Sequence, residues 1–265
     1  NKLYKSFVGL VDQIRPKVFV MENVPGLIRL FGGKVKEQVL NDFSSLGYRV
    51  KVQQLSSDDY GVPQQRKRVF FVGVNAEKIS KKNEFEFPKA EYGDGMKPYV
   101  TCKEAISDLD FVPDDVSLGE NIAYKIPAQS EYQNLMRKGS HSIKNHSITI
   151  HKEQTKKIIA MVPDGGNYKD LPIELQNTRK VHIAWTRMNS EKPCFTIDTG
   201  HNHHFHYKEN RVPTVRESAR IQSFPDKFEF IGIKTSQLKQ VGNAVPPLMA
   251  RAIAKEVIKT IGDTR

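Results

Sequence analysis

Apolar residues in the first 75 positions recur with several spacings, and the changes of spacing predict an order of elements. In KLYKSFVGLVDQI, Leu3, Phe7, Leu10, Val11 and Ile14 recur at helical intervals. Arg15–Pro16 ends this helix, because a residue before proline is pushed away from helical geometry. The run Val18–Met21 is short, apolar and β-branched, which predicts a buried parallel strand. KVKEQVLNDFSSLG is amphipathic again and stops at Gly47, a candidate C-cap. YRVKVQQL alternates with period two, and RVFFVGV, Arg68–Val74, is a third strand candidate. Helix, strand, helix, strand, loop, strand reads as part of a doubly wound α/β sheet.

The first strand closes on a carboxylate. In VFVMENVPGL, Glu22 and Asn23 stand at the carboxyl end of the strand, where open α/β sheets bind their ligands. A helix-capping or turn-forming pair would use the same residues. In YGVPQQRKRVFFVGV a loop with Gln64, Arg66 and Arg68 runs into a strand. Residues two apart share a face of an extended chain, so Arg66 and Arg68 are expected to aim two guanidinium forks at one anion. A solvated charge cluster at a strand's start is the plain alternative.

Composition narrows the class. At 265 residues and 38% hydrophobic, the chain can fold as one large domain or two smaller ones. The net charge of +11 is unevenly spread. Lys/Arg outnumber Asp/Glu by 12 to 6 in residues 1–75, 12 to 6 in 121–192 and 10 to 5 in 211–265, whereas 76–120 reverses to 6 against 11. Such a molecule can present one face to a phosphate backbone and turn its acidic segment away, or simply be a basic protein. No apolar run approaches the roughly 18 residues of a membrane span. The opening residues lack a signal peptide's layout, which makes a cytoplasmic location the default. Cys102 and Cys194 are far apart and without CxxC spacing, so neither a disulfide framework nor a structural zinc site is suggested.

Two further motifs are RVPTVRESARIQSFPD, Arg211–Asp226, and QVGNAVPP, Gln240–Pro247. With MENVPGL and PQQRKR, in this order, they resemble the later sequence blocks of the DNA cytosine-5 methyltransferases, and the four blocks frame nearly the whole chain. The resemblance implies an incomplete doubly wound, Rossmann-like methyltransferase sheet (residues 1–75, with a C-terminal helix, 245–265, returning to it) and a smaller, loop-rich target-recognition domain (76–244). It implies transfer of a methyl group from S-adenosylmethionine to C5 of a cytosine flipped out of duplex DNA, as in a restriction-modification methylase. Glu22 would grip the base's Watson–Crick edge and support protonation at N3. Arg68 would contact the base or its phosphate, with Arg66 and Gln64 bracing the loop. Gly242, Asn243 and Ala244 would border the cofactor. Arg216 and Arg220, four apart on a helix starting near Thr214, would organise the target-binding domain and meet DNA backbone; Gln64 and Arg66 also count among the expected DNA-binding residues.

The family's chemistry also needs a glycine-rich cofactor loop and a Pro-Cys nucleophile, both of which precede the strand bearing Glu22. Neither is present from Asn1 onward, so this chain is expected to be inactive by itself and to need a complementary N-terminal segment or subunit. Pro193–Cys194 has the right dipeptide but falls in the target-recognition region, where a small inward residue on a strand is expected; Cys102 reads as the first turn of a helix. The basic positions Lys144, His146, His151, Lys156, Lys157, Arg179 and Arg187 are candidates for base reading. The cluster His201, His203, His204 and His206 lacks supporting metal ligands and reads as a wet or DNA-facing loop, so no metal is expected. Two alternatives stay open: a catalytically dead DNA-binding module, and a tRNA methyltransferase of the same fold. The insert of over 100 residues favours DNA over folded RNA.

Overall fold

The computed structural model describes residues 2–111, 121–176, 185–200 and 203–262. The elements are, in order, α1 (Lys2–Ile14), β1 (Val18–Asn23), α2 (Lys34–Ser45), β2 (Tyr48–Ser56), β3 (Lys67–Asn75), α3 (Cys102–Ile106), α4 (Glu131–Arg137) and α5 (Glu153–Ala160). They continue with α6 (Ile173–Gln176), β4 (Thr186–Arg187), β5 (His204–Phe205), α7 (Val215–Ile221), α8 (Lys234–Asn243) and α9 (Pro247–Ile261). The chain divides into two compact units. A sheet unit holds residues up to Ser56, Lys67–Ala90 and the residues from Ala250 onward; a second unit holds Ser57–Arg66 and Glu91–Met249. The dividing line differs from the boundary expected at residue 75. Residues 76–90 stay with the sheet, and the loop as far as Arg66 goes with the second unit.

The sheet unit has mixed α/β architecture, with strand order β1-β3-β2. Among the described residues the parallel pairing expected of Val18–Met21 does not form. β3 runs antiparallel to both neighbours, with Glu22 opposite Phe70 and Asn23 opposite Val69. The burial pattern gives the reason: from Val69 to Asn75 every residue of β3 is buried, whereas β1 and β2 each keep exposed positions. The most continuously apolar strand takes the centre, where both its faces can be covered.

Strand parity then sorts the side chains. Phe19 and Met21 of β1, Val69 and Phe71 of β3, and Val50 and Val52 of β2 form one core with Phe7 and Val11 of α1 and Val39 and Phe43 of α2. The Phe19 ring lies 4.2 Å from that of Phe43 and 5.9 Å from that of Phe7, centroid to centroid. Gly73, opposite Phe19, makes this possible, since a Cβ there would stand 2.0 Å from the Phe19 ring. Gly47, at φ 81°, turns the chain out of α2 and donates its N–H to the Ser44 carbonyl at 2.9 Å.

The second unit consists of short helices joined by long loops, with a two-residue parallel pairing of β4 and β5. Its larger core gathers Ile106, Leu109, Met136, Ile143, Met188, Ala219, Ile221 and Val241. A smaller one centres on Ile159, Trp185 and Phe205. Every residue of α7 is buried, although four of its seven residues are polar or charged. Among the described residues, no helix is long and apolar enough to cross a membrane.

Candidate functional site

The register of β1 on β3 builds the first candidate site. Because Glu22 faces Phe70, Arg68 lies diagonally across on the same side of the sheet. Its Nε stands 2.9 Å from Glu22 Oε1, and the two side chains keep 15% and 30% of their surface in solvent. A further N–H of Arg68 donates to the Lys67 carbonyl at 2.7 Å. Burial pulls the Arg68 pKa down and Glu22 opposes that pull, but a guanidinium remains charged in either case. The result is a carboxylate fixed in orientation at a strand's end yet still reachable from solvent. Asn23 turns back to accept from the Val24 N–H at 2.9 Å, and the 3₁₀ stretch Pro25–Gly33 follows with proline in its first turn.

Arg66 and Arg68 do not converge on one anion. Arg66 is 2% exposed and belongs to the second unit, where it donates to the Gly242 carbonyl at 2.7 Å. Gln64 is fully buried: its amide donates to the Gln222 side chain and its oxygen accepts from the Ile197 N–H at 3.1 Å. Both side chains bond groups of the second unit. The contact with DNA expected of them is corrected, since neither offers a polar surface to a phosphate. Extended-chain parity fails here because an isolated bridge from Gln64 to Cys194, not the sheet, holds this part of the loop.

Gly242 and Asn243 end α8 rather than open α9. Gly242 is buried, and a Cβ there would meet the Asp198 carbonyl oxygen at 2.8 Å and Thr199 Cγ2 at 2.9 Å. The Ala244 carbonyl accepts from Gln222 at 2.7 Å. Only Asn243 of the three projects an exposed polar side chain. These residues can border a cofactor but cannot enclose one.

Arg216 and Arg220 differ most from expectation. A capping box sets α7: Thr214 accepts from the Glu217 N–H, and the Glu217 carboxylate accepts from the Thr214 N–H at 2.7 Å. Both arginines are fully buried. Arg216 donates to the carbonyls of Lys144, Pro225 and Phe228. Arg220 forks onto Asp226 with two bonds of 2.6 Å, onto Asp108 at 3.0 and 3.2 Å, and onto the Ala105 carbonyl at 3.0 Å. Arg137 also reaches Asp108, at 2.5 Å, and Tyr124 donates to Asp226 at 2.6 Å. Burial leaves neither guanidinium a surface for the phosphate contact expected of them.

Beside them, Glu217 is gripped by Arg211 at 2.7 and 2.8 Å. Burial works to raise the Glu217 pKa, but Arg211 and then His206 outweigh it and hold the carboxyl well below the usual range. His206 is buried, and its Nδ1 accepts from two backbone N–H groups, of Lys208 and Glu209. Burial pushes its pKa down to about 3, so the ring is neutral. The wet loop expected of this region is therefore corrected at His206. His203 and His204 lean on Asp198 at 3.8 and 3.9 Å, and His201 lies outside the described residues.

Among the base-reading candidates, His146 and Arg187 are buried. His146 bonds Thr214 at 2.8 Å, and Arg187 saturates its donors on carbonyls of residues such as Val162 and Ile159. Lys144 and Lys156 pair with Glu229 and Glu153, and Arg179 lies outside the described residues. Sequence reasoning missed Asp108, Asp226 and Arg211. Only the Thr214–Glu217 capping box could have indicated that α7 is a cornerstone.

Cys194 and Cys102 are both buried in the larger core. Burial, reinforced by its neighbour Cys102, raises the Cys194 thiol well above its ordinary value, opposite to what a nucleophile requires. Among the described residues no group of three or more His, Cys, Asp or Glu is arranged to hold a metal.

The profile of the C-5 cytosine-specific DNA methylases matches residues 1–259. The type II methyltransferase M1.HphI of Haemophilus parahaemolyticus is 36% identical over 259 residues, covering 98% of this chain and 61% of that protein. M.NgoFVII of Neisseria gonorrhoeae, also a type II methyltransferase, is 33% identical over 272 residues, covering 99% and 64%. The chain thus spans about three fifths of the length of these relatives. A solved structure from a prophage (E. coli), described as a DNA modification methyltransferase, superposes with a TM-score of 0.74 at 25% identity. That match covers 99% of this chain and 74% of the other.

Proposed function

Because the chain belongs to the C-5 cytosine-specific DNA methylase family, we propose that it forms the base-gripping and DNA-reading part of a restriction-modification enzyme that methylates cytosine C5 in duplex DNA. The observation that carries this is the Glu22–Arg68 pair. Flipping brings a cytosine's Watson–Crick edge, the N4 amino donor beside the N3 and O2 acceptors, into a pocket. A carboxylate anchored by Arg68 at a strand's end, with 30% of its side chain in solvent, suits that edge. Glu22 holds a proton at N3, which drains electron density from the ring and makes C6 electrophilic. Arg68 keeps the carboxylate aimed and presents positive charge where the flipped nucleotide's phosphate passes.

S-adenosylmethionine, when bound, supplies the methyl group. Asn243 would border it, with Gly242 kept small by the Asp198 carbonyl. The attacking thiolate is not supplied by Cys102 or Cys194, which are buried in a core. A complementary segment carrying the glycine-rich loop and a Pro-Cys would complete the site, and this chain by itself is then inactive. Exposed apolar side chains support such a partner: Val20 on β1, an edge strand among the described ones, and Leu3, Leu10 and Ile14 on α1.

The test is single-turnover methylation of a cytosine-containing duplex by this chain combined with that segment. Glu22→Gln should slow turnover by at least about tenfold, general acid help being worth roughly a hundredfold or more, while duplex affinity holds. Unchanged turnover in Glu22→Gln refutes the assignment. Robust activity from the 265-residue chain alone, abolished by Cys194→Ala, refutes the need for a partner segment.

A further inference from the structure

The stretch leaving β1 carries a feature that the packing of the sheet unit does not use. Phe31 is 74% exposed and Leu30 beside it 48%. Phe31 also sits in left-handed backbone, at φ 50° and ψ 44°, followed by Gly32 at φ 66° and Gly33 at φ 94°. A bulky aromatic residue is disfavoured in this region, whereas glycine adopts it freely. An aromatic ring held both in water and in disfavoured backbone gives nothing to the isolated fold, and such combinations cluster at sites that meet a ligand.

The charges around Phe31 identify the ligand's chemistry. Arg29 and Lys34 flank it, both exposed, and neither meets a carboxylate within ion-pair distance among the described residues. Between Glu22 and Glu37 the chain holds no acidic residue at all. A second copy docking here by two-fold symmetry would set Arg29 and Lys34 against their own counterparts, which disfavours self-association. A polyanion with flat apolar surfaces between its charges matches the pattern. The 3₁₀ stretch Pro25–Gly33, which carries Arg29 and Phe31, follows Glu22 and Asn23 after one residue and packs against β3, the strand that carries Arg68.

We propose that Arg29–Lys34 is a DNA-docking loop, in which Phe31 lies against the base and sugar surface of the duplex while Arg29 and Lys34 meet its phosphates. This rests on the DNA reading above and adds a contact outside the base-gripping pair. Holding the ring in left-handed backbone keeps it pointed outward before DNA arrives, so little ordering is left to do on binding.

The probe is a fluorescently labelled duplex oligonucleotide, titrated with the 265-residue chain by anisotropy at several salt concentrations. Phe31→Gly should weaken binding roughly tenfold, the order expected when part of a buried aromatic side chain's apolar contact is lost. It should leave the salt dependence unchanged, and the melting temperature should hold or rise because the left-handed residue is now glycine. Phe31→Trp should bind within about twofold of the unaltered chain. Lys34→Ala should lower the salt slope by about one, the signature of one lost phosphate contact. Binding by the unaltered chain with Phe31→Gly binding equally well overturns the inference alone. Failure of the unaltered chain to bind any duplex overturns the DNA reading and this inference with it. A Phe31→Gly variant that changes sedimentation instead of DNA affinity would assign the ring to a protein interface and overturn the inference.

Discussion

Arg220 offers the sharpest test of what the α7 arginines do. Its guanidinium makes five hydrogen bonds, two to Asp226, two to Asp108 and one to the Ala105 carbonyl, and none of the three charged groups is more than 2% exposed. Arg220→Ala removes the cation and leaves two carboxylates in the core. Asp108 keeps Arg137 and Asp226 keeps Tyr124, so neither is stripped bare, but one compensating charge is gone. Removing one partner of a buried ion pair costs about 3–5 kcal/mol, because the remaining charge stays desolvated. For a chain of this size that corresponds to a fall of roughly 6–20 °C in melting temperature. Arg220→Lys should recover only part of it, since one ammonium cannot fork onto two carboxylates. Urea unfolding gives the free energy, and duplex binding at several salt concentrations gives the second readout. A role in folding predicts a large stability loss with no change in salt slope, measured where the variant remains folded. A loss below about 1 kcal/mol together with a salt slope lowered by about one would mean that Arg220 meets phosphate, and would refute the reasoning.

Acid should loosen the same unit. His206 is held neutral at a pKa of about 3 against an ordinary 6.5, so the unfolded chain takes up a proton first and stability falls as pH drops below about 6.5, by at most roughly 1.4 kcal/mol per pH unit. Glu217, held below its ordinary 4.5, adds stability above that pH and loses it further into acid; flat unfolding free energies from pH 7 to 4 would contradict the His206 effect, and no further loss below pH 4.5 would contradict that of Glu217. Gly242→Ala should destabilise by about 1–3 kcal/mol in urea melts, because its Cβ meets the Asp198 backbone at 2.8 Å and cannot push it aside cheaply; a neutral result would show that the loop yields.

The sequence alone carried the local elements and the family. Helical spacing in α1, the Gly47 stop after α2 and the apolar run of β3 are set by period and by backbone chemistry within a few residues, so they are legible without tertiary contacts. Glu22 could be singled out for the same reason, as a charge placed where an apolar strand ends. What sits opposite a residue is a different matter, since it depends on strand order and on what else is buried. β3 takes the centre because it is the most apolar of the three strands, and that antiparallel register, not sequence distance, brings Arg68 onto Glu22. The charges misled for a related reason. Arg66, Arg187, Arg216 and Arg220 look like a phosphate-binding set in one dimension, yet long loops rich in unpaired carbonyls need buried donors. A guanidinium, with five N–H groups and a weakly hydrated plane, satisfies several carbonyls and carboxylates at once, so in the second unit these arginines fold inward. Only the three-dimensional placement of Asp108, Asp226 and those carbonyls distinguishes them from Arg29 and Lys34, which remain outside.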